Sequence, residues 1–291
     1  MTTAQPAIFV ENSRLHRFFE VHRYEGSPSL RDIVAATSSV NTVIGFGPDC
    51  CARCAAEAGV DVSPAEFGVF PGFSNSEHAM PSTQGDLLLW CHGDDHDQLV
   101  DVELSLRSLL VPHDLKVSTG FVYRDSRDLT GFVDGSANPR DDARFQVAQI
   151  QEGLPGAGGS YVMTQRWVHR LDEFNRLGIE EQERVIGRTK VDSIELEGAA
   201  MPADSHVSRT DLKVNDVAQK IYRRSTPIID EDGAGLFFLA FSCEQSRFDV
   251  LLESMMGNND GTAGDRLLGF SKAISGSYWF APSQSSLQAL I

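Results

Sequence analysis

Three stretches of this sequence carry side chains suited to acid–base work, metal ligation and anion handling. Asp134 lies between glycines in the run Gly131-Phe132-Val133-Asp134-Gly135-Ser136-Ala137-Asn138-Pro139. Glycine has no Cβ, so a ligand can approach such a carboxylate closely. Alone, the run fits a metal site, a turn or no site at all. His206 lies in Ser205-His206-Val207-Ser208-Arg209-Thr210-Asp211-Leu212, with no HExxH motif and no His/Cys partner at zinc spacing. An isolated histidine of this kind is more often structural than a ligand. Lys220-Ile221-Tyr222-Arg223-Arg224-Ser225-Thr226-Pro227 carries two adjacent arginines. They form either a solvated edge or an inward cation whose fixed charge would stabilise an anion.

The elements that must position these groups follow a repeated pattern. In Gly85 to Leu110, an apolar run Leu87–Cys91 meets a polar turn, and then Leu99, Val102, Leu106, Leu109 and Leu110 recur at helical spacing. In Gly235 to Gly257, the run Leu236–Phe241 reads as a buried strand, followed by a turn and an amphipathic face of Phe248, Leu251, Leu252, Met255 and Met256. The similarity predicts a duplicated α+β unit. Further strands are predicted over Phe18–His22, Thr42–Phe46 and Tyr161–Val168, and helices over Ser29–Ala36, Leu171–Leu177 and Glu180–Ile186. Strands followed by packed helices in each half predict two antiparallel sheets with peripheral helices. The Gly-, Pro- and Asp-rich segment from Asp134 to Gly159 reads as a bridging loop, dividing the chain into residues 1–133 and 134–291.

Bulk properties narrow the function classes. The net charge of −16 over 291 residues disfavours nucleic-acid partners, because phosphate binding needs positive patches. No apolar run reaches the ~18 residues of a membrane span. Met1-Thr2-Thr3-Ala4-Gln5-Pro6 lacks the basic and apolar regions of a secretory signal, which predicts a cytoplasmic protein. The five cysteines are odd in number, and Cys51 and Cys54 form a lone CxxC. Buried thiols at a helix start are the expectation, rather than a disulfide framework.

Taken in order, the three stretches resemble the dye-decolorising peroxidases, a family of haem enzymes, and most closely its compact bacterial class B subgroup. GFVDGSANP matches the family's GxxDG signature, SHVSRTDL its proximal-histidine segment and KIYRRSTP its distal-arginine segment. IGRTK at Ile186–Lys190, GSYVMTQRW at Gly159–Trp167 and GSYWFAPS at Gly276–Ser283 extend the similarity. The resemblance implies two ferredoxin-like halves arranged as a dimeric α+β barrel, and haem b as cofactor. It implies hydrogen peroxide as oxidant and dyes, phenols or other small one-electron donors as reductants, through an oxoferryl intermediate.

It also implies roles for particular residues. His206 becomes the proximal iron ligand, with Asp265 as acceptor for its other ring nitrogen. Asp134 becomes the distal acid–base group. Arg223, four residues before the proline, becomes the cation that stabilises charge as the O–O bond breaks. Ser225 and Phe238 are expected in the distal pocket, Gly135 and Ser136 at the haem edge, and Arg209 at a propionate. Tyr161, Trp167, Tyr222, Tyr278 and Trp279 are more in keeping with core or rim than with a radical site. A homo-oligomer is expected. The closing Ser286–Ile291 segment shows no added tail of the kind that packages some relatives in nanocompartments. Two other readings compete: a haem-handling protein with incidental peroxidase activity, and an α+β barrel that has lost its cofactor.

Overall fold

The computed structural model describes residues 3–111, 113–258 and 263–291. The first half runs β1 (Leu15–Val21), α1 (Leu30–Ala36), β2 (Asn41–Phe46), α2 (Pro48–Ala58), β3 (Leu87–Gly93), α3 (His96–Leu110) and β4 (Leu115–Phe121). The connection contains α4 (Asp141–Ala148). The second half runs β5 (Ser160–His169), α5 (Leu171–Arg176), α6 (Ile179–Ile186), α7 (His206–Thr210), β6 (Thr226–Asp230), β7 (Gly233–Ser242), α8 (Ser246–Met256), β8 (Ser277–Ala281) and α9 (Gln284–Leu290). Each strand and helix expected from apolar spacing is present, with ends displaced by a few residues.

Strand order is β4-β1-β3-β2 in the first half and β8-β5-β7-β6 in the second, the same ferredoxin-like arrangement twice. The two sheets do not stay separate. Ile228 of β6 pairs with Gly120 of β4, and Phe280 of β8 pairs with Phe46 of β2. All these pairings are antiparallel, so eight strands close into a ring. Closure supplies partners for strand edges that would otherwise be exposed. One seam depends on Gly120: a Cβ there would lie 2.1 Å from Thr226 Oγ1. Apolar periodicity does not encode this edge pairing, because it is made by backbone.

Side chains alternate between two cores. Phe19 and Val21 of β1 pack outward beneath the helices, with Leu99, Leu106 and Phe248. Phe18 packs inward with Trp90, Phe237, Phe241 and Trp279. Cys50, Cys51 and Cys54 are buried free thiols on α2, as the composition suggested. The five aromatic residues named above are all buried. The segment read as a loop is interrupted by α4, where Asp141 and Asp142 lie in the first turn and Phe145 packs on Phe9 with ring centroids 4.6 Å apart. Acidic residues favour a helix N-terminus, and here that preference combines with tertiary packing to outweigh the Gly- and Pro-rich surroundings. No described helix is long and apolar enough to cross a membrane.

The barrel interior also holds two neutral imidazoles. Trp90 Nε1 donates to His16 Nδ1 at 3.1 Å, and His16 Nε2 donates to Ser13 O at 3.1 Å. His92 donates from Nε2 to Ala7 O at 3.0 Å, with Nδ1 2.8 Å from Ser13 Oγ. Burial, with the nearby charge of Arg224, pushes His16 down to about 3 and His92 down to about 4, from 6.5. Between those values and 6.5, the unfolded chain binds protons that the folded chain refuses, so stability falls as pH drops through this window. The urea midpoint should therefore decline from pH 7 to 4.5, and His16→Gln/His92→Gln should flatten that decline. An unchanged slope in the double variant would assign the effect to other groups.

Candidate active site

His206 is presented by a short helix with a defined start. Ser205 caps α7 by accepting from Ser208 N at 3.3 Å, and Thr210 Oγ1 donates back to His206 O at 2.7 Å. His206 Nδ1 lies 2.6 Å from Asp265 Oδ2, and the Asp265 side chain is completely buried. The second carboxylate oxygen accepts from Leu267 N at 2.9 Å, capping the turn Arg266–Gly269. Asp265 is thus a helix cap and a histidine partner at once. Its main-chain N–H donates to Met255 O at the end of α8, and Arg266 N donates to Asp204 O just before α7. With Nδ1 donating to a carboxylate, the lone pair of His206 resides on Nε2.

His206 lines a cavity with about 1570 Å³ of empty space, its mouth included. The walls are largely apolar: Met163 and Trp167 from β5, Phe238 from β7, Leu252 and Met255 from α8. Asp134, Ser136 and Arg223 open onto the same space, so groups distant in sequence converge on one cavity. Phe238 is on its wall, and Asp265 stands behind the imidazole. Gly135 and Ser225 lie beside it, lining an adjoining recess that Asp134 and Arg223 also reach. Ser225 Oγ accepts from Leu239 N at 3.3 Å. Arg209 is buried on α7 and does not line the cavity.

The Asp134 loop is held by its own backbone. Asp134 N donates to Ser126 O at 2.9 Å, and Asp134 Oδ1 accepts from Gly135 N at 2.7 Å. Gly135 has φ of 75°, a left-handed conformation that favours glycine. Asn138 then ties the loop to the strand Tyr222–Arg223. Its Nδ2 donates to Arg223 O at 2.7 Å, and its Oδ1 accepts from Arg223 N at 3.0 Å. The neighbouring arginines divide: Arg223 lines the cavity, whereas the Arg224 guanidinium lies 5.2 Å from the Trp90 ring and donates to Ile8 O and Val10 O.

Sequence reasoning passed over three features of the site. Asn138 sits inside the quoted motif, but its bonds go to main chain and leave no signature in the partner's residue type. Arg188, inside IGRTK, lines the cavity beside Glu195, which it meets at 2.5 Å. Asp128 and His169 form a partly buried pair on the wall at 3.1 Å, with His169 Nδ1 2.8 Å from Ser271 Oγ. Burial alone would raise the Asp128 carboxyl; hydrogen bonds from His169 and Thr130, with the His169 charge, hold it below its usual range.

Comparison with known proteins decides the family. The family model "Dyp-type peroxidase, N-terminal" matches residues 20–109, and "Dyp-type peroxidase, C-terminal" matches residues 125–286. The chain belongs to the Dyp-type peroxidases. A dye-decolorizing peroxidase of Mycobacterium tuberculosis is 33% identical over 85% of this chain and 74% of its own. A dye-decolorizing protein from V. cholerae superposes with a TM-score of 0.86 at 37% identity, covering 98% and 99% of the two chains. A variant of DypB from Rhodococcus jostii RHA1, solved in complex with heme, superposes with a TM-score of 0.86 at 30% identity over 97% of each chain. The activity of this Dyp-type peroxidase is therefore that of a peroxidase enzyme. Asn138→Ala should cost about 1–2 kcal/mol of folding stability and slow peroxide turnover, measured by denaturant unfolding and steady-state assay. Unchanged turnover would show that other contacts hold Arg223.

Proposed function

We propose that this Dyp-type peroxidase binds haem b in the cavity and reduces hydrogen peroxide at the expense of small one-electron donors. The observation that carries the reading is the His206 imidazole on the cavity wall, its Nδ1 tied to buried Asp265, in a space shared with Asp134 and Arg223. The donor set fits a haem. Apolar walls suit a porphyrin, Arg188 is a cation on the wall that could meet a propionate, and the hydrogen-bonded imidazole would serve as an iron ligand. When bound, the group supplies the redox chemistry at iron.

The chain's own residues supply binding and proton handling. His206 Nε2 would ligate the iron of a bound haem, while Asp265 would fix the ring's orientation and raise its basicity. Asp134 accepts a proton from one peroxide oxygen and returns it to the other. The Arg223 guanidinium holds the peroxide and stabilises negative charge as the O–O bond breaks. Asn138, by clamping the main chain of Arg223, keeps these two groups in register. Gly135, Ser136, Ser225 and Phe238 shape the space around them, and Arg209 supports α7 from within. We also read the chain as a homo-oligomer: Val191 and Ile194, in one short segment, are 71% and 62% exposed.

An absorbance scan before and after one equivalent of peroxide tests the haem reading; absence of a Soret band from protein purified with haem supplied would overturn it. His206→Ala should lose haem or its axial ligation. Arg223→Leu should slow peroxide reduction by roughly 10²–10³-fold with the resting haem spectrum retained. A normal rate in that variant would remove Arg223 from the chemistry.

A further inference from the structure

Three polar side chains form a continuous chain on the cavity wall that iron ligation and peroxide handling leave unused. Asp128, His169 and Ser271 all line the cavity. They sit apart from Arg223. His169 is the last residue of β5, whereas Arg223 is in register, through Ala240, with Met163 near the start of that strand. Ser271 stands directly opposite His169 on the neighbouring strand Ser271–Ala273.

The bonds fix which atoms carry protons. Asp128 Oδ2 accepts from Thr130 N at 3.0 Å and from Thr130 Oγ1 at 2.6 Å. Asp128 Oδ1 lies 3.1 Å from His169 Nε2, and an ionised carboxylate only accepts, so Nε2 carries the hydrogen. In the neutral imidazole, Nδ1 then has the lone pair and accepts from Ser271 Oγ at 2.8 Å. Carboxylate, imidazole and hydroxyl are thus ordered as they are where a histidine activates a serine. His169 is the one hydrogen-bond partner of Ser271 Oγ among the described residues, so the oxygen keeps a lone pair for a further O–H. Apolar surface for an aromatic ring is at hand. Trp167 precedes His169 on the cavity face of β5, and Phe132, whose main-chain oxygen accepts from Asp128 N at 2.8 Å, lines the same cavity.

We propose that Ser271 receives the hydroxyl of a phenolic donor and that His169 takes up the donor's proton as its electron leaves. The inference rests on the haem reading above, which supplies the electron acceptor. The phenolic O–H bond breaks. Its proton passes to Ser271 Oγ as the serine's own proton moves to His169 Nδ1, and its electron passes to the peroxide-oxidised haem. The donor departs as a phenoxyl radical, and Asp128 stabilises the imidazolium that remains. Each proton then returns to the cavity, where the two from two donors complete the two waters formed from one peroxide.

Two donors separate this role from a structural one: guaiacol, which must lose a proton, and ferrocyanide, which loses only an electron. In haem-loaded protein, His169→Gln should lower kcat/KM for guaiacol by about a hundredfold and leave ferrocyanide oxidation and the resting haem spectrum unchanged. The solvent deuterium isotope effect should be larger with guaiacol than with ferrocyanide in the unaltered chain. Ser271→Ala, which removes a single oxygen, should act in the same direction and serves if His169→Gln does not fold. Ser271→Thr, which keeps the hydroxyl, should retain guaiacol turnover. Ferrocyanide oxidation by the unaltered chain tests the haem reading separately. Equal loss with both donors, or loss of haem from the variants, assigns the three residues to cofactor retention and overturns the proposal, as does unchanged guaiacol turnover.

Discussion

Closure of the eight-stranded ring is the constraint on which everything else rests. Each ferredoxin-like half would leave strand edges with unpaired backbone groups, and each half's helices cover only one face of its sheet. Joining β4 to β6 and β2 to β8 removes the edges and creates an interior. The interior is filled by large aromatic side chains with satisfied polar tips, such as Trp279 Nε1 donating to Thr164 Oγ1 at 2.8 Å. A packed interior makes the ring rigid, and rigidity lets its outer face serve as one wall of a reaction site.

Against that wall the chemistry is assembled from short segments that could not hold themselves in place. The helix bearing His206 has five residues, too short to persist alone. It is anchored through Asp265, whose two oxygens serve the imidazole and the turn Arg266–Gly269. The Asp134 loop has no regular structure, yet three consecutive kinds of bond restrain it: backbone to Ser126, carboxylate to Gly135, and the Asn138 amide to Arg223. The Asp134 loop and the main chain of Arg223 are therefore tied together, although they arrive from different parts of the chain.

What was legible in the sequence follows from the same physics. Apolar spacing revealed β3, α3, β5, β7 and α8, because burial on one face imposes a period. It did not reveal ring closure, since the seams at Gly120 and Phe46 are backbone pairings, which impose no apolar period. It missed α4, whose contacts to Phe9 are tertiary. Asp134, His206, Arg223 and Asp265 were legible through ordered motifs rather than through spacing. Asn138, Arg188 and the Asp128–His169 pair were not: Asn138 bonds main chain, and the others meet across folds of the chain that no local pattern announces. Motif position selects Arg223 over Arg224, and adjacent residues on an extended segment face opposite ways.

Strand β5 is a shared partition. Its odd-numbered residues from Met163 to His169 line the peroxidase cavity, and its even-numbered ones face the barrel interior and the polar recess lined by Arg166 and Val168. A side-chain period of two makes such a partition intolerant of length change. Insertion or deletion of a single residue within Ser160–His169 would exchange the two faces downstream of the change, sending Trp167 inward and Arg166 into the apolar cavity. Both compartments would fail together. Drift in this segment is thus confined to substitution, and the two compartments must inherit a common register.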